Sequence, residues 1–281
     1  MKKCFPLALC LILVAGMVLA GCGPQEAGEG RGAIYRGVLP RNETMFFDGL
    51  TWSVPTRWNP YGIGGSSHNL WGHTFQAVFE TLFVFDLLDE SINPHIGESY
   101  TWDGYNLRVI IRRDVRFNNG AALRIDDVVH SFVIHRDYNT PFSGIWAGDF
   151  ILDVVPIDEA SFEIRGNPQR FQPTKMLEIL CSFYITSKVQ WDEILRERDP
   201  DRGGPRSNRM AVAQEPKLEP ISTASYRPLF WDETRIVLER DDNWWGTAKD
   251  GKLPVPRYLV FNVGIPGRRS QPQQAILTGS P

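Results

Sequence analysis

The chain has 281 residues, and its 30 Lys and Arg against 33 Asp and Glu give a formal net charge of −3 at pH 7. That mildly acidic balance argues against a nucleic-acid partner and against a polybasic membrane patch. An apolar content of 42% suits a globular chain of one large domain or two small ones.

The first residues, MKKCFPLALCLILVAGMVLAGCGPQ, open with Lys2 and Lys3 and continue as an apolar run from Phe5 to Val18. The run is short for a membrane span and stops abruptly, so it reads as an export signal over residues 1–21. Leu19 to Cys22 resembles a bacterial lipobox. The resemblance implies lipidation at Cys22 and an extracytoplasmic protein held at a membrane surface rather than through it; the alternative is cleavage near Ala20 with an incidental Cys. Without Lys2 and Lys3, 28 basic residues face 33 acidic ones, a net of −5. Cys4 and Cys10 leave with the signal. Cys181, inside EILCSFYI, then has no partner for an internal disulfide and reads as a small buried apolar residue. Residues 22–40 are dominated by Gly and charge and read as a flexible tether.

TMFFDGLTWSVPTRWNP reads as a strand running into a turn at Asn59-Pro60. NPYGIGGSSHNLWG follows, and Gly62, Gly64 and Gly65 sit between strand and helix as in a phosphate-cradling loop. Ser67 stands where a dinucleotide fingerprint needs its third Gly, and no Gly-Lys-(Ser/Thr) follows, so no nucleotide cofactor is expected. Ser66 or Ser67 can cap a helix on which Leu70, Trp71, Phe75, Val78, Phe79, Leu82 and Phe83 recur at helical spacing. Asp103-Gly104 marks a hairpin. A helix then carries Ile125, Val128, Val129, Phe132 and Val133 on one side, with Asp126 and Asp127 at its start. A second hairpin turns at Asp158-Glu159. Ser187 and Gln190 form a capping box opening a helix with Trp191, Ile194 and Leu195 inward and an Asp192–Arg196 pair outward. Asp199 to Pro220 reads as a long surface loop. Ile236 and Leu238 alternate with Val237 and Glu239 in a third hairpin, and PRYLVFNVGIP reads as a final strand.

Little points to catalysis. Ser66, Ser67 and His68 are adjacent, too close in sequence to act as nucleophile and base. There is no Gly-x-Ser-x-Gly elbow. The pairs His68–His73 and His130–His135 fall on different helix faces, so no metal site is expected. Asp126-Asp127 and Asp241-Asp242 read as a helix start and a turn. We expect no catalytic residue, no cofactor and no metal.

Three segments together resemble the extracellular solute-binding proteins of family 5, the peptide, nickel and oligosaccharide receptors of ABC importers. Phe117, Gly120, Asp127 and Val128 carry the match in YNLRVIIRRDVRFNNGAALRIDDVVHSF. Thr223, Tyr226, Leu238, Glu239, Arg240, Trp245 and Gly246 carry it in ISTASYRPLFWDETRIVLERDDNWWG, and MFFDGLTWSVPTRWNP is similar to the first strand. Order and spacing agree from about Met45 to Gly246. The family's turn glycines are here Ser222 and Ala224, and its Pro is Ser225, which implies a reshaped or strained turn. Arg124 replaces a capping Thr or Ser, a loss of about 1 kcal/mol.

The resemblance implies an α/β fold, periplasmic-binding-protein-like type II (cluster C). Residues 41–85 and 182–265 would form an incomplete first lobe and 86–181 an inserted α+β subdomain. Residues 266–281 would start the crossover to a second lobe missing from this sequence, which suggests a truncated or frameshifted chain that binds weakly by itself. The implied partners are an ABC permease and ATPase, with an oligopeptide or oligosaccharide ligand and a monomeric state. The Trp-rich stretch Trp52 to Trp71 resembles the cello-oligosaccharide branch. The cleft contacts implied are Trp58, Asn59, Tyr61, Gly64, Ser66, Asn69 and Trp71, glycines giving close backbone approach and rings giving stacking faces. An extracytoplasmic hydrolase or a structural lipoprotein is the competing class.

Overall fold

The computed structural model describes residues 39–51, 58–62, 73–138, 140, 142–148, 150–213, 219–231 and 235–263. Cys22, the tether up to residue 38 and the residues after 263 lie outside them. In chain order the elements are β1 (Thr44–Thr51), α1 (His73–Val78), β2 (Phe83–Phe85), β3 (Ile92–Pro94), β4 (Gly97–Asp103), β5 (Asn106–Ile111), α2 (Ile125–Asp137), α3 (Ser143–Ala147), β6 (Ile151–Asp158), β7 (Ser161–Gly166), α4 (Pro173–Ser182), α5 (Lys188–Arg198), β8 (Tyr226–Trp231), β9 (Arg235–Arg240), α6 (Gly246–Asp250) and β10 (Tyr258–Val263).

The strands form a sheet of order β1-β10-β9-β8, a β2-β3 ribbon and a sheet of order β4-β5-β7-β6. Among the described residues only the β1–β10 pairing is parallel. On the first sheet Ile236, Leu238, Leu259 and Phe261 pack with Phe75 and Val78 of α1 and with Phe79 just after it. Val237 is buried too, so the outward position expected for it is corrected: both faces of β9 are covered at its middle. Glu239 keeps a polar role, with Arg227 at 3.2 Å and Arg257 at 3.7 Å.

The second sheet follows the alternation in its sequence. Leu107, Val109 and Ile111 are buried while Arg108 and Ile110 are exposed, the period-2 pattern of a half-covered strand. The covering layer is α2, through Val128 and Phe132, and α4, through Met176, Ile179 and Leu180. The first hairpin turns on Gly104 (φ +58°) and Tyr105, with Asp103 opposite Asn106. Gly is therefore the first of the two turn residues rather than the second, the arrangement of a II′ turn. Gly166, at the end of β7, sits where a Cβ would meet Tyr105 O at 2.2 Å and Met176 Sδ at 3.1 Å. A backbone oxygen cannot swing away, so Gly166→Ala is expected to cost about 2 kcal/mol. A thermal melt should show the midpoint falling by roughly 5 °C.

Two helices differ from expectation for identifiable reasons. The helix anticipated through Phe83 ends at Val78, after which Leu82 O accepts His95 N (3.2 Å) and Gly97 N (2.8 Å) and draws the chain into the β2–β3 ribbon. Helix α2 buries Ser131, Ile134 and His135 in addition to Ile125, Val128 and Phe132, because α5 packs on its second side. Val129 and Val133 are only half-buried.

Candidate ligand face

The strand-to-loop corner places three of the expected contact residues indoors, which corrects their role. Trp58 is 1% exposed and packs between Phe75 and Trp231, with ring centroids 5.6 and 5.7 Å away. Asn59 Nδ2 donates to Val212 O (2.7 Å), and Asn59 Oδ1 accepts Tyr61 N (2.8 Å). Tyr61, 1% exposed, lies edge-on against Trp191 and His135. An Asn before Pro folds its side chain back on the chain two residues on, and the rings beside it are apolar enough to be drawn inside. Their burial makes them the base on which the loop stands. Gly64, Ser66, Asn69 and Trp71 lie outside the described residues.

A buried hydroxyl cluster holds that base. The hydroxyls of Tyr61 and Thr186 are 2.8 Å apart, and that of Ser131 is 3.2 Å from Thr186 Oγ1. Ser131 Oγ also accepts Thr186 N at 3.0 Å and donates to Asp127 O at 2.7 Å. Burial pushes the Tyr61 phenol well above its ordinary range despite these bonds.

Asp127 stands at the centre of the same junction. Its carboxylate accepts Arg124 N (2.9 Å), capping its own helix from inside the first turn, and Lys188 N (2.8 Å), at the start of α5. Arg124 makes no side-chain cap, as expected; Asp127 supplies only the reciprocal half of a capping box, holding the N-cap amide. Burial raises the Asp127 carboxyl above the ordinary value, against the pull of those two amides. In α5, Ser187 Oγ accepts Gln190 N at 3.5 Å, but the Gln190 side chain reaches away to Glu219 O and Ile221 N, so only half of the capping box forms. Asp192 meets Lys188, Arg202 (3.3 Å) and His130 (3.4 Å) instead of Arg196.

The loop after α5 runs over the surface through residues 200–210, as expected, and is anchored at Asp199 and at Ala211–Ala213. Asp199, 1% exposed, accepts the Tyr138 hydroxyl (2.9 Å), the Ser207 hydroxyl (2.7 Å) and Asn208 N (2.8 Å). Burial alone would raise its carboxyl; these donors outweigh it and hold the group below its ordinary value. Ala211, Val212 and Ala213 are buried. The turn at Ser222–Ala224 is not strained as expected: none of the three has positive φ. It is buried, and Ser222 O accepts Asn118 N at 2.8 Å.

Sequence reasoning missed Glu80. This carboxylate, 8% exposed, accepts Trp244 Nε1 (3.1 Å) on Oε1 and Trp245 Nε1 (3.0 Å) on Oε2, and His95 Nε2 lies 3.0 Å from Oε1. A lone acid inside the apolar run AVFETLF was the available signal. Glu80 lies on the wall of a half-open cavity of about 830 Å³ between the end of α1, the β2–β3 ribbon and α4. Cys181 is half-buried on the same wall rather than a core residue, and burial pushes its thiol up to about 11. His135 Nδ1 bonds Thr140 Oγ1 at 2.7 Å, and burial lowers His130 to about 4 and His135 to about 3. Among the described residues no cluster of three His, Cys, Asp or Glu could hold a metal, and no helix is long and apolar enough to cross a membrane.

The model of the bacterial extracellular solute-binding proteins, family 5 middle region, matches residues 91–280. The chain belongs to the family 5 solute-binding proteins. Similar solved structures include a periplasmic oligopeptide-binding protein of an ABC transporter from Thermotoga maritima with bound mannohexaose (24% identity, TM-score 0.71, covering 86% of this chain and 41% of that one). Others are DppA from Helicobacter pylori with the peptide STSA (16%, TM-score 0.62, 84% and 45%) and MoaA from A. tumefaciens R10 with mannopinic acid (17%, TM-score 0.63, 85% and 44%). The shared feature is the mixed α/β fold of type II periplasmic binding proteins, and the chain spans under half the length of each. A search of curated proteins found no match.

The residues that carried the family 5 resemblance hold the fold. Phe117 is buried, Gly120 turns with φ +84°, Tyr226 donates to Pro256 O at 2.7 Å, and Trp245 ties the second-sheet core to Glu80.

Proposed function

We propose that this chain is the substrate-binding part of an ABC importer, a monomer held by lipid on Cys22 at the extracytoplasmic face of a membrane. The family 5 match over residues 91–280 is the observation that carries the reading. Residues 41–85 and 182–265 serve as one lobe and 86–181 as its insert. Gly64, Ser66, Asn69 and Trp71 contact the ligand, on a segment that leaves the anchored corner at Gly62. Capture shifts an open–closed equilibrium and presents the ligand to the permease and ATPase; no bond is made or broken.

An oligosaccharide is the favoured ligand. The Trp-rich segment supports it, as does the likeness in fold to the mannohexaose complex, TM-score 0.71. The test is a thermal-shift panel on the protein with cello-oligosaccharides, mannohexaose, tetrapeptides and Ni(His). A ligand at a hundredfold its Kd stabilises by about 2.7 kcal/mol, so binding sugars should raise the midpoint by several degrees, and Trp71→Ala should remove the rise. A shift with peptides alone would replace sugar by peptide. Turnover of the sugar would overturn the importer reading.

A further inference from the structure

The cavity beside Glu80 lies on elements other than the corner at Trp58–Gly62, and its chemistry selects a different kind of guest. Its volume, about 830 Å³, is in the range of small-molecule sites. The rings of Phe79, Phe85, Phe142 and Tyr184 line it, and no Lys or Arg is among its lining residues. Its two carboxylates differ. Glu178 is already paired with Lys175 Nζ at 2.7 Å. Glu80 accepts two uncharged indoles and has the His95 ring, also on the wall, at 3.0 Å, an ion pair when that ring carries a proton; among the described residues it has no Lys or Arg partner. The two indole bonds and the His95 contact together leave about one of the roughly four acceptor positions of a carboxylate open. An acid at a poorly solvated wall, beside aromatic rings, attracts a cation and repels an anion.

We propose that this cavity is a second binding site, for an organic ammonium ion with an apolar body. It stands independently of the importer reading.

Cys181 on the same wall reports on it. The full chain is treated in parallel with the cationic 2-aminoethyl and the anionic 2-sulfonatoethyl methanethiosulfonate. In each case the thiolate sulfur attacks the thiosulfonate, an S–S bond forms and methanesulfinate leaves. Mass spectrometry of the Cys181 peptide separates it from the other three cysteines. The ratio of cation to anion rates is divided by the same ratio in urea-unfolded chain, which cancels the attraction of the thiolate itself. The expected normalised ratio is at least tenfold, falling at least fivefold in Glu80→Gln. Leu177→Arg, which places a cation on the wall while leaving Glu80 and its donors intact, should bring it below one. Hexylamine should slow the modification and hexanoate should not. A normalised ratio near one in the unaltered chain, or equal protection by hexanoate, overturns the proposal.

Discussion

Between pH 7.5 and pH 5 the chain should lose roughly 4 kcal/mol of folding stability, from two histidines alone. His130 and His135 are 6% and 2% exposed, and burial lowers them to about 4 and about 3. In the unfolded chain both take up a proton near pH 6.5, whereas the folded chain leaves them neutral until far lower pH. The unfolded state therefore binds more protons across this window, and stability falls as pH falls. The loss begins near 6.5 and levels off only below the folded values. Charges around His130 do not reverse this. Desolvation, the largest cause, is joined by Arg202 and Lys188 in opposing its protonation, and together they outweigh Asp192 and Asp137, which favour it. His135 faces the rings of Tyr61, Phe142 and Phe183 and the Thr140 hydroxyl. Asp127, whose carboxyl is raised, recovers a little stability in acid; Asp192 and Asp199, held low, lose theirs only near pH 4 and below. Urea midpoints at pH 7.5, 6 and 5 measure the effect, and His130→Gln should roughly halve the slope. A stability that is flat from pH 7 to 5 would show that the histidines charge without unfolding.

Asp127→Ala should cost about 3 kcal/mol, because one carboxylate serves two helix starts. Its removal strands Arg124 N and Lys188 N at the junction where α2 and α5 meet. Asp127→Asn keeps one acceptor oxygen but turns an amide N–H toward the other donor, so about half the loss should remain. Asp126→Ala, one residue away and exposed, should change the urea midpoint by less than about 0.5 kcal/mol. Equal effects at the two positions would refute the double-cap assignment.

Period-2 alternation and turn residues made the hairpins legible, as in Leu107-Arg108-Val109 and at Gly104. Helix ends were less so, since the competing bonds are distant in sequence: Leu82 O takes amides from His95 and Gly97, and Gln190 reaches Glu219 and Ile221. The corner at Trp58–Tyr61 reads as exposed aromatics beside a glycine loop. What buries it are Trp191, Thr186 and Val212, none of them visible from the local pattern. Glu80 was hidden for the same reason, its donors coming from Trp244 and Trp245.

The parallel pairing of β1 with β10 sets a schedule for folding. Thr44 lies opposite Tyr258, while every strand of the second sheet falls between them and pairs largely through local hairpins. Non-local pairings carry the larger closure entropy and form late. The strand synthesised first among these elements must therefore wait, unpaired along its β10 side, until the last has emerged. In that interval the four-stranded second sheet can already be complete, so the slow phase of refolding should report on the first sheet alone.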